Sequence, residues 1–411
     1  MRLENDQYFI QGVEVLSLVE QFGAPLYVYD TERMAHQYRR MADAFKHTDL
    51  RINYACKALN NPSVLRFFRS LGAGLDTVSI GEVALGLQAG FLPNEILFTP
   101  NCVSFAEVCE GVTLGVRVNI DNLSILEQFG NSFGSSVPVC VRINPHIMAG
   151  GHSKISVGHI DSKFGISIYQ LPHLMRIVEA HGIRVEGLHM HTGSDILDVE
   201  VFLQGADVLL EIAGKFPHLS YVDFGSGFKV PYKPGDIETD IEDLGQKLGE
   251  RFNAFCATYG RPLTLMFEPG KYLVSESGTF LAKVNVLKQT TAALFAGLDT
   301  GLNHLIRPMF YDAYHHIVNV SNPAGKPRIY TVVGYICETD TFGWDRKIGE
   351  IKEGDILAFQ NAGAYCYTMS SQYNARPRPA EVLLHQGQPY LIRERETLED
   401  LLRGVRYVEA F

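Results

Sequence analysis

Cysteine is scattered and unpaired in this sequence: the seven residues at 56, 102, 109, 140, 256, 337 and 366 form no CxxC and leave an odd count. That argues against both a disulfide framework and a structural zinc site, and most of these thiols read as small buried hydrophobes. Long basic runs are missing too. Lys and Arg number 36 against 46 Asp and Glu, a formal net charge of −10, so nucleic acid is not an expected partner. No apolar run approaches the length of a membrane span, so no membrane partner is expected. The opening MRLENDQYFI has no charged start, apolar stretch and cleavage site in succession, and the expectation is a cytoplasmic protein.

What is present is the composition of a globular chain, with 46% hydrophobic and 20% charged residues in a length of 411, enough for one large domain and a smaller one. Eight strand-like runs follow one another between residues 51 and about 270: INYACK, GLDTVS, EILFTP, GVRVNI, VCVRIN, VEGLHMH, YVDFGSG and LTLMFEP. Amphipathic stretches such as NPSVLRFFRSLGA separate most of them. Strands alternating with helices imply a parallel sheet, and eight units close a (β/α)8 barrel. An open doubly wound sheet is the alternative, but no GxGxxG follows the first strand. After residue 280 the runs FLAKVNVLKQT, RIYTVVGYICET, DILAFQNAGAYCY and EVLLHQGQPYLI read as strands with few helices between them. The expected organisation is a barrel over 27–275 and a β-sheet domain from 1–26 and 276–411, with residues 8–18 pairing into the latter.

Barrels of this kind carry their chemistry at the C-terminal strand ends. Those ends offer Lys57, Asp76 and Ser79, Asn101, Arg142 and Asn144, His189 and His191, the GSG of Gly225, Ser226 and Gly227, and Glu268 in EPG. Asn61 and Pro62 set up a helix start directly after Lys57. Taken alone, Lys57 reads as a solvated lysine and GSG as a tight turn. Together they suggest more. HTGS and GSG are loops whose backbone N–H groups can approach a phosphate. A phosphate site, a lysine and a buried carboxylate at one rim suggest pyridoxal phosphate, with the lysine bonded to the aldehyde and the carboxylate on the ring nitrogen. His189 and His191 could instead bind a metal, but no third ligand stands at a characteristic spacing, and none is expected. His315 and His316 read as structural.

YACKA, HMHTGSD, GSG, EPG, and CET followed by NAGAYCYTMSSQYNARPRPAEVL resemble, in that order, the pyridoxal-phosphate decarboxylases of barrel fold, the group of diaminopimelate, ornithine and arginine decarboxylases. The resemblance runs from about residue 24 to the C-terminus. It implies that Lys57 carries the cofactor, that His191 stacks on its ring, that Ser194, Gly225, Ser226, Gly227 and Tyr365 hold its phosphate, and that Glu268, followed by Pro269 and Gly270, pairs with its ring nitrogen. It further implies that Arg307 and Tyr311 of LIRPMFYDAYHH bind a distal substrate carboxylate, which favours meso-diaminopimelate, decarboxylated to L-lysine. Cys337 would donate a proton and Glu338 hold the distal amino group, both from the partner subunit of a homodimer with shared active sites. One position departs from the pattern: where the family usually has Arg after EPG, this chain has Lys271. A point charge replaces a planar fork there, which bears on carboxylate recognition. The rival readings are decarboxylation of D-ornithine or lysine on the same scaffold, a racemase of related fold, and a non-catalytic carrier of the cofactor.

Overall fold

The computed structural model describes residues 1–147, 162–191 and 193–410. By internal contacts the chain divides into two units, one of Ala35–Pro231 with Asp236–Leu273, the other of Met1–Met34, Tyr232–Gly235 and the chain from Val274 onward.

The first unit is a closed parallel barrel. Its strands are β1 (Leu50–Ala55), β2 (Gly74–Thr77), β3 (Ile96–Phe98), β4 (Arg117–Ile120), β5 (Val139–Asn144), β6 (Val185–His189), β7 (Tyr221–Asp223) and β8 (Thr264–Phe267). Each pairs with its neighbours in chain order, and β8 returns to β1 in the register Met266 to Arg51. The eight runs read from the sequence are these eight strands. A polar cap opens the helix that follows each of several strands: the Asn61 side chain accepts from Ser63 N at 3.0 Å ahead of Pro62–Ser70, Ser79 from Glu82 N at 3.2 Å, and Asn122 from Ile125 N at 2.9 Å. Ser79, read above as a strand-end candidate, is thus a helix cap.

Alternation along the strands sends Arg51 and Asn53, Arg117 and Asn119, Tyr221 and Asp223 to one side of their strands, two residues apart. Asn53, Asn119, Asp76, His189 and Asp223 are all at most 3% exposed. At the C-terminal strand ends some of these polar groups pair, as His189 does with Glu268.

The second unit is a mixed sheet. In spatial order its strands are Thr341–Gly349, Pro327–Val333, Leu294–Leu298, Gly278–Gln289, Leu26–Asp30, Ala380–His385 and Gln388–Arg393, with Ile317–Asn319 and Ile356–Phe359 joined to it through Gly278–Gln289. Two expectations are corrected here. The barrel does not begin at 27, because Leu26–Asp30 is an interior strand of this sheet, between Gly278–Gln289 and Ala380–His385. Its Leu26 and Val28 pack with Leu281, Ala358 and Val382, while Tyr27 stacks on Phe280 at 4.4 Å. Residues 8–18 join the unit by packing rather than by strand pairing: Ile10, Val15 and Leu18 enter that core, and Gln7–Ile10 pairs only within a small sheet with Arg2–Glu4 and Val13–Glu14.

Candidate active site

Three side chains at the ends of β6, β7 and β8 form the centre of the barrel mouth. His189 Nε2 lies 3.0 Å from Glu268 Oε2, and Asp223 brings a carboxylate oxygen within 4.8 Å of both. Thr99 Oγ1 reaches the other Glu268 oxygen at 3.5 Å. Burial opposes the ionisation of Glu268, but the hydrogen bond from His189 and the charge of Lys57 outweigh it and draw the carboxyl below its usual range. Burial pushes Asp223 well above the usual carboxylate range, and the charge on Glu268 adds to it. Asp76 is raised to about 7 by the same two causes, with Lys57 pulling the other way. The cluster therefore carries its negative charge on Glu268, while Asp223 keeps its proton. Burial lowers His189, so its ring is neutral and donates through Nε2–H to the carboxylate. Sequence spacing showed no third metal ligand beside the HMH pair; in three dimensions Asp223 and Glu268 do approach His189, whereas His191 stands past the end of β6 and is not of that group.

Lys57 sits in the single turn Cys56–Ala58 that ends β1, with Nζ 3.6 Å from the buried Asp76 carboxylate. Its side chain is 41% exposed, so the amine is reachable from solvent while its counter-charge is not.

The neighbouring loops lock together through backbone. Gly225 and Gly227 have φ of +62° and +111°, and a Cβ would lie 2.5 Å from Met190 O at the first and 2.1 Å from Gly193 O at the second. Only glycine fits either place. Between them Ser226 N donates to His191 Nδ1 at 3.3 Å, and Ser226 Oγ donates to Glu268 O at 3.0 Å. Burial and the charges of Arg142 and Lys57 hold His191 well below its usual range, so its imidazole is neutral and accepts that N–H. Thr192 lies outside the described residues; Ser194 beyond it is half-buried. Pro269 O accepts from Ala55 N at 3.2 Å, tying β1 to the EPG turn, and Gly270 packs so closely on Ala58 that a Cβ would stand 2.9 Å from it. Lys271 is 8% exposed and its ammonium is paired with Asp195. Arg142 is buried with its guanidinium 4.8 Å from the Phe164 ring, Asn144 accepts from His146 N at 3.0 Å, and Asn101 donates to Asp121.

A second polar group belongs to the β unit. Arg307, 8% exposed, donates through Nη1 to Tyr232 Oη at 3.1 Å and lies 3.2 Å from His315 Nε2. His315 Nδ1 is 2.9 Å from Gln360 O and must donate to it, which makes Nε2 the acceptor for Arg307. Burial, helped by Arg307, depresses His315 from its ordinary 6.5 to about 3. The unfolded chain takes up this proton near pH 6.5 and the fold refuses it until about 3, so the contribution of His315 is complete above 6.5 and declines as the pH falls through that window. The stability of the natural chain minus that of His315→Asn should drop by about 1.4 kcal/mol for each pH unit below about 6.5. Urea unfolding of both proteins from about pH 6 to about pH 4 checks it, and parallel curves contradict it.

In the same unit Tyr311 Oη is 3.9 Å from Met369 Sδ. Cys337 is exposed, its Sγ 3.5 Å from Glu338 Oε2 and 3.4 Å from Asn374 Nδ2, and Tyr373 donates to the other Glu338 oxygen. Both follow the strand Pro327–Val333 in bends rather than continuing it, as the sequence run had suggested. Tyr365 holds φ +58°, a costly conformation for a bulky side chain and one that points to function.

The barrel thus brings together Lys57, His191, the Gly225–Gly227 loop, Glu268 and Lys271, while Arg307, Tyr311, Cys337, Glu338 and Tyr365 belong to the β unit. Sequence reading did not single out Asp223, Asp195 or Tyr232. Asp223 was findable from the alternation of YVD; Asp195 and Tyr232 had no such signal. The donor set fits a phosphorylated pyridine aldehyde: a buried anion for a protonated ring nitrogen, an accessible amine for an aldehyde, a glycine cradle for a phosphate.

Residues 31–275 match the family described as pyridoxal-dependent decarboxylase, pyridoxal binding domain. The chain is 40% identical over 406 residues to the diaminopimelate decarboxylase of Methanothermobacter thermautotrophicus, covering 96% of this chain and 94% of that one. A crystal structure of diaminopimelate decarboxylase from Methanocaldococcus jannaschii superposes with TM-score 0.91 at 30% identity, over 99% and 98% of the two chains. One from Helicobacter pylori, complexed with L-lysine, gives TM-score 0.86 at 31% identity over 94% and 98%.

Proposed function

The chain belongs to the pyridoxal-dependent decarboxylases, and from that membership we propose that it removes one carboxylate of meso-2,6-diaminopimelate, releasing carbon dioxide and L-lysine. Its cofactor is pyridoxal phosphate. The observation that carries the reading is the buried Glu268 anion, held by His189 at the mouth of a closed barrel whose first strand ends in Lys57. Because the product is L-lysine, the carboxylate lost is the one on the D-configured carbon.

Bound pyridoxal phosphate supplies an electron sink for the pair left on the α-carbon when the carboxylate departs. The Lys57 amine holds it at the strand end and moves protons at Nζ. Glu268 keeps a negative charge against the ring nitrogen, and His189 keeps Glu268 ionised. The neutral His191 offers a flat face without adding a positive charge. Ser194, Gly225, Ser226, Gly227 and Tyr365 hold the phosphate, and Pro269 and Gly270 fix the step from Glu268 to Lys271. Arg307 and Tyr311 take the distal carboxylate, Glu338 takes the distal ammonium, and Cys337 returns a proton to the α-carbon. Two amino-acid ends on one substrate call for this division of labour, since simple diamine precursors lack the second carboxylate.

Lys271 already faces Asp195, so a substrate carboxylate at this ammonium competes with an internal one. Lys271→Met should raise KM for diaminopimelate about tenfold or more while kcat changes less, the cost of one charged hydrogen bond. Steady-state kinetics decide it; an unchanged KM removes Lys271 from substrate recognition.

Cys337 and Glu338 act from a second copy of the chain in this reading. Mixing inactive Lys57→Ala with inactive Cys337→Ala protein, and allowing subunits to exchange, should restore about a quarter of natural activity, because half of the dimers are mixed and each has one intact site. No recovery in mixtures shown to have exchanged contradicts shared sites. The function itself is tested by incubating purified protein and pyridoxal phosphate with meso-diaminopimelate: L-lysine and carbon dioxide should appear in equal amounts, and their absence contradicts the assignment.

A further inference from the structure

The barrel has a second polar mouth. At the N-terminal ends of β1, β4 and β8, opposite to Lys57 and Glu268, lies a cavity of about 530 Å³ lined among others by Lys46, Asp49, Arg51, Arg117, Thr264 and Met266. Barrel interiors are ordinarily filled by layers of side chains in which bulky branched apolar residues dominate. Here Arg51 and Arg117, both half-buried, stand at the first inward positions of their strands, and among the described residues neither forms an ion pair. Arg117 lies 5.5 Å over the Tyr221 ring, and Arg51 Nε donates to Asn53 Oδ1 at 3.3 Å. Burial and, after it, the charge of Arg117 weaken the hold of Arg51 on its proton, while Glu95 and Tyr38 strengthen it. Asp49 is the one carboxylate of the lining among the described residues, and it is exposed and accepts from Thr264 Oγ1 at 2.8 Å.

A second observation lies one layer deeper. Asn119, two residues after Arg117 on the same side of β4, is 1% exposed, and both its amide nitrogen and its oxygen lack a hydrogen-bond partner among the described residues. The barrel end thus has two half-buried guanidinium groups on the wall of one cavity and, two residues further along β4, an unpartnered buried amide, polar groups suited to a ligand that accepts hydrogen bonds.

We propose that this end of the barrel binds a small doubly charged oxyanion, of the phosphate or dicarboxylate class, between Arg51 and Arg117. The two arginines on the cavity wall present planar donor forks suited to paired oxygens. Nothing in this reading depends on which amino acid the other mouth decarboxylates.

Calorimetric titration of the holoenzyme, whose phosphate cradle is already filled, tests the site with sodium phosphate and, separately, sodium succinate, both against sodium chloride at equal ionic strength. Saturable binding of either dianion is expected, weakened at least about tenfold in Arg51→Gln and in Arg117→Gln. Saturation by phosphate alone identifies a tetrahedral ligand, and saturation by succinate alone a dicarboxylate. Titrations no different from chloride, or glutamine variants that bind as the natural protein does, overturn the proposal and leave a water-filled barrel end. Should a variant fail to fold, phenylglyoxal labelling of the natural holoenzyme followed by mass mapping decides the matter. The dianion must protect Arg51 and Arg117 together, and equal labelling with and without it counts against the site.

Discussion

Lys57→Ala should lower carbon dioxide release by at least about 10³-fold, the largest effect of any single substitution in this chain. The position of this amine is set twice, by the turn Cys56–Ala58 and by the Asp76 carboxylate 3.6 Å away. Alanine removes the amine and also leaves Asp76 buried without its cation. Asp76, at about 7 with Lys57 present, then takes a proton, so the variant folds without a stranded charge. Arginine should not rescue it, because a guanidinium keeps its proton and is no nucleophile at neutral pH. Two measurements check the assignment: carbon dioxide release, and the mass of the Lys57 peptide after borohydride treatment, which carries the cofactor only in the natural protein. Activity within about tenfold of natural would remove Lys57 from its role.

Glu268→Gln should come next, lowering kcat by about 10²–10³-fold with KM changed only a few fold, since electrostatic support of this kind matters most as charge develops. Glutamine keeps the volume and one acceptor for His189 but deletes the charge. Everything around Glu268 serves to preserve that charge against a burial that opposes it: His189 at 3.0 Å, Lys57, and Asp223, which keeps its own proton rather than adding a second negative charge. An alternative outcome, weakened substrate binding with turnover intact, would mean that Glu268 contacts substrate.

The fold was legible in the sequence because a barrel strand announces itself twice, by a short β-rich run and by the amphipathic helix after it, and eight repetitions leave little room for another count. The cap at Asn61 and Pro62 was readable for the same reason, being a local signal. Leu26–Asp30 was not, since LYVYD reads the same whether its partners lie next to it or some 250 to 350 residues later. Only tertiary pairing decides that. At the site, the residues on short motifs (Lys57, His191, Gly225–Gly227, Glu268) lie at the barrel mouth, where their strand-end positions put them. The side chains that tune them were not legible. Asp195 meets Lys271 from a loop 76 residues away, and Tyr232 meets Arg307 from 75 residues away. Cys337 and Glu338 show the opposite error: RIYTVVGYICET looks like one strand, but the glycine and the bends after Val333 release both side chains from the sheet.

The most direct test of the account is carbon dioxide release by the purified holoenzyme from meso-diaminopimelate, D-ornithine, L-ornithine and L-lysine, compared by kcat/KM. The account predicts turnover of diaminopimelate at least about 10²-fold above each of the others, because in the proposed roles only that substrate brings both a distal carboxylate for Arg307 and a distal amino group for Glu338. A kcat/KM for D-ornithine or L-lysine equal to or above that for diaminopimelate would contradict it.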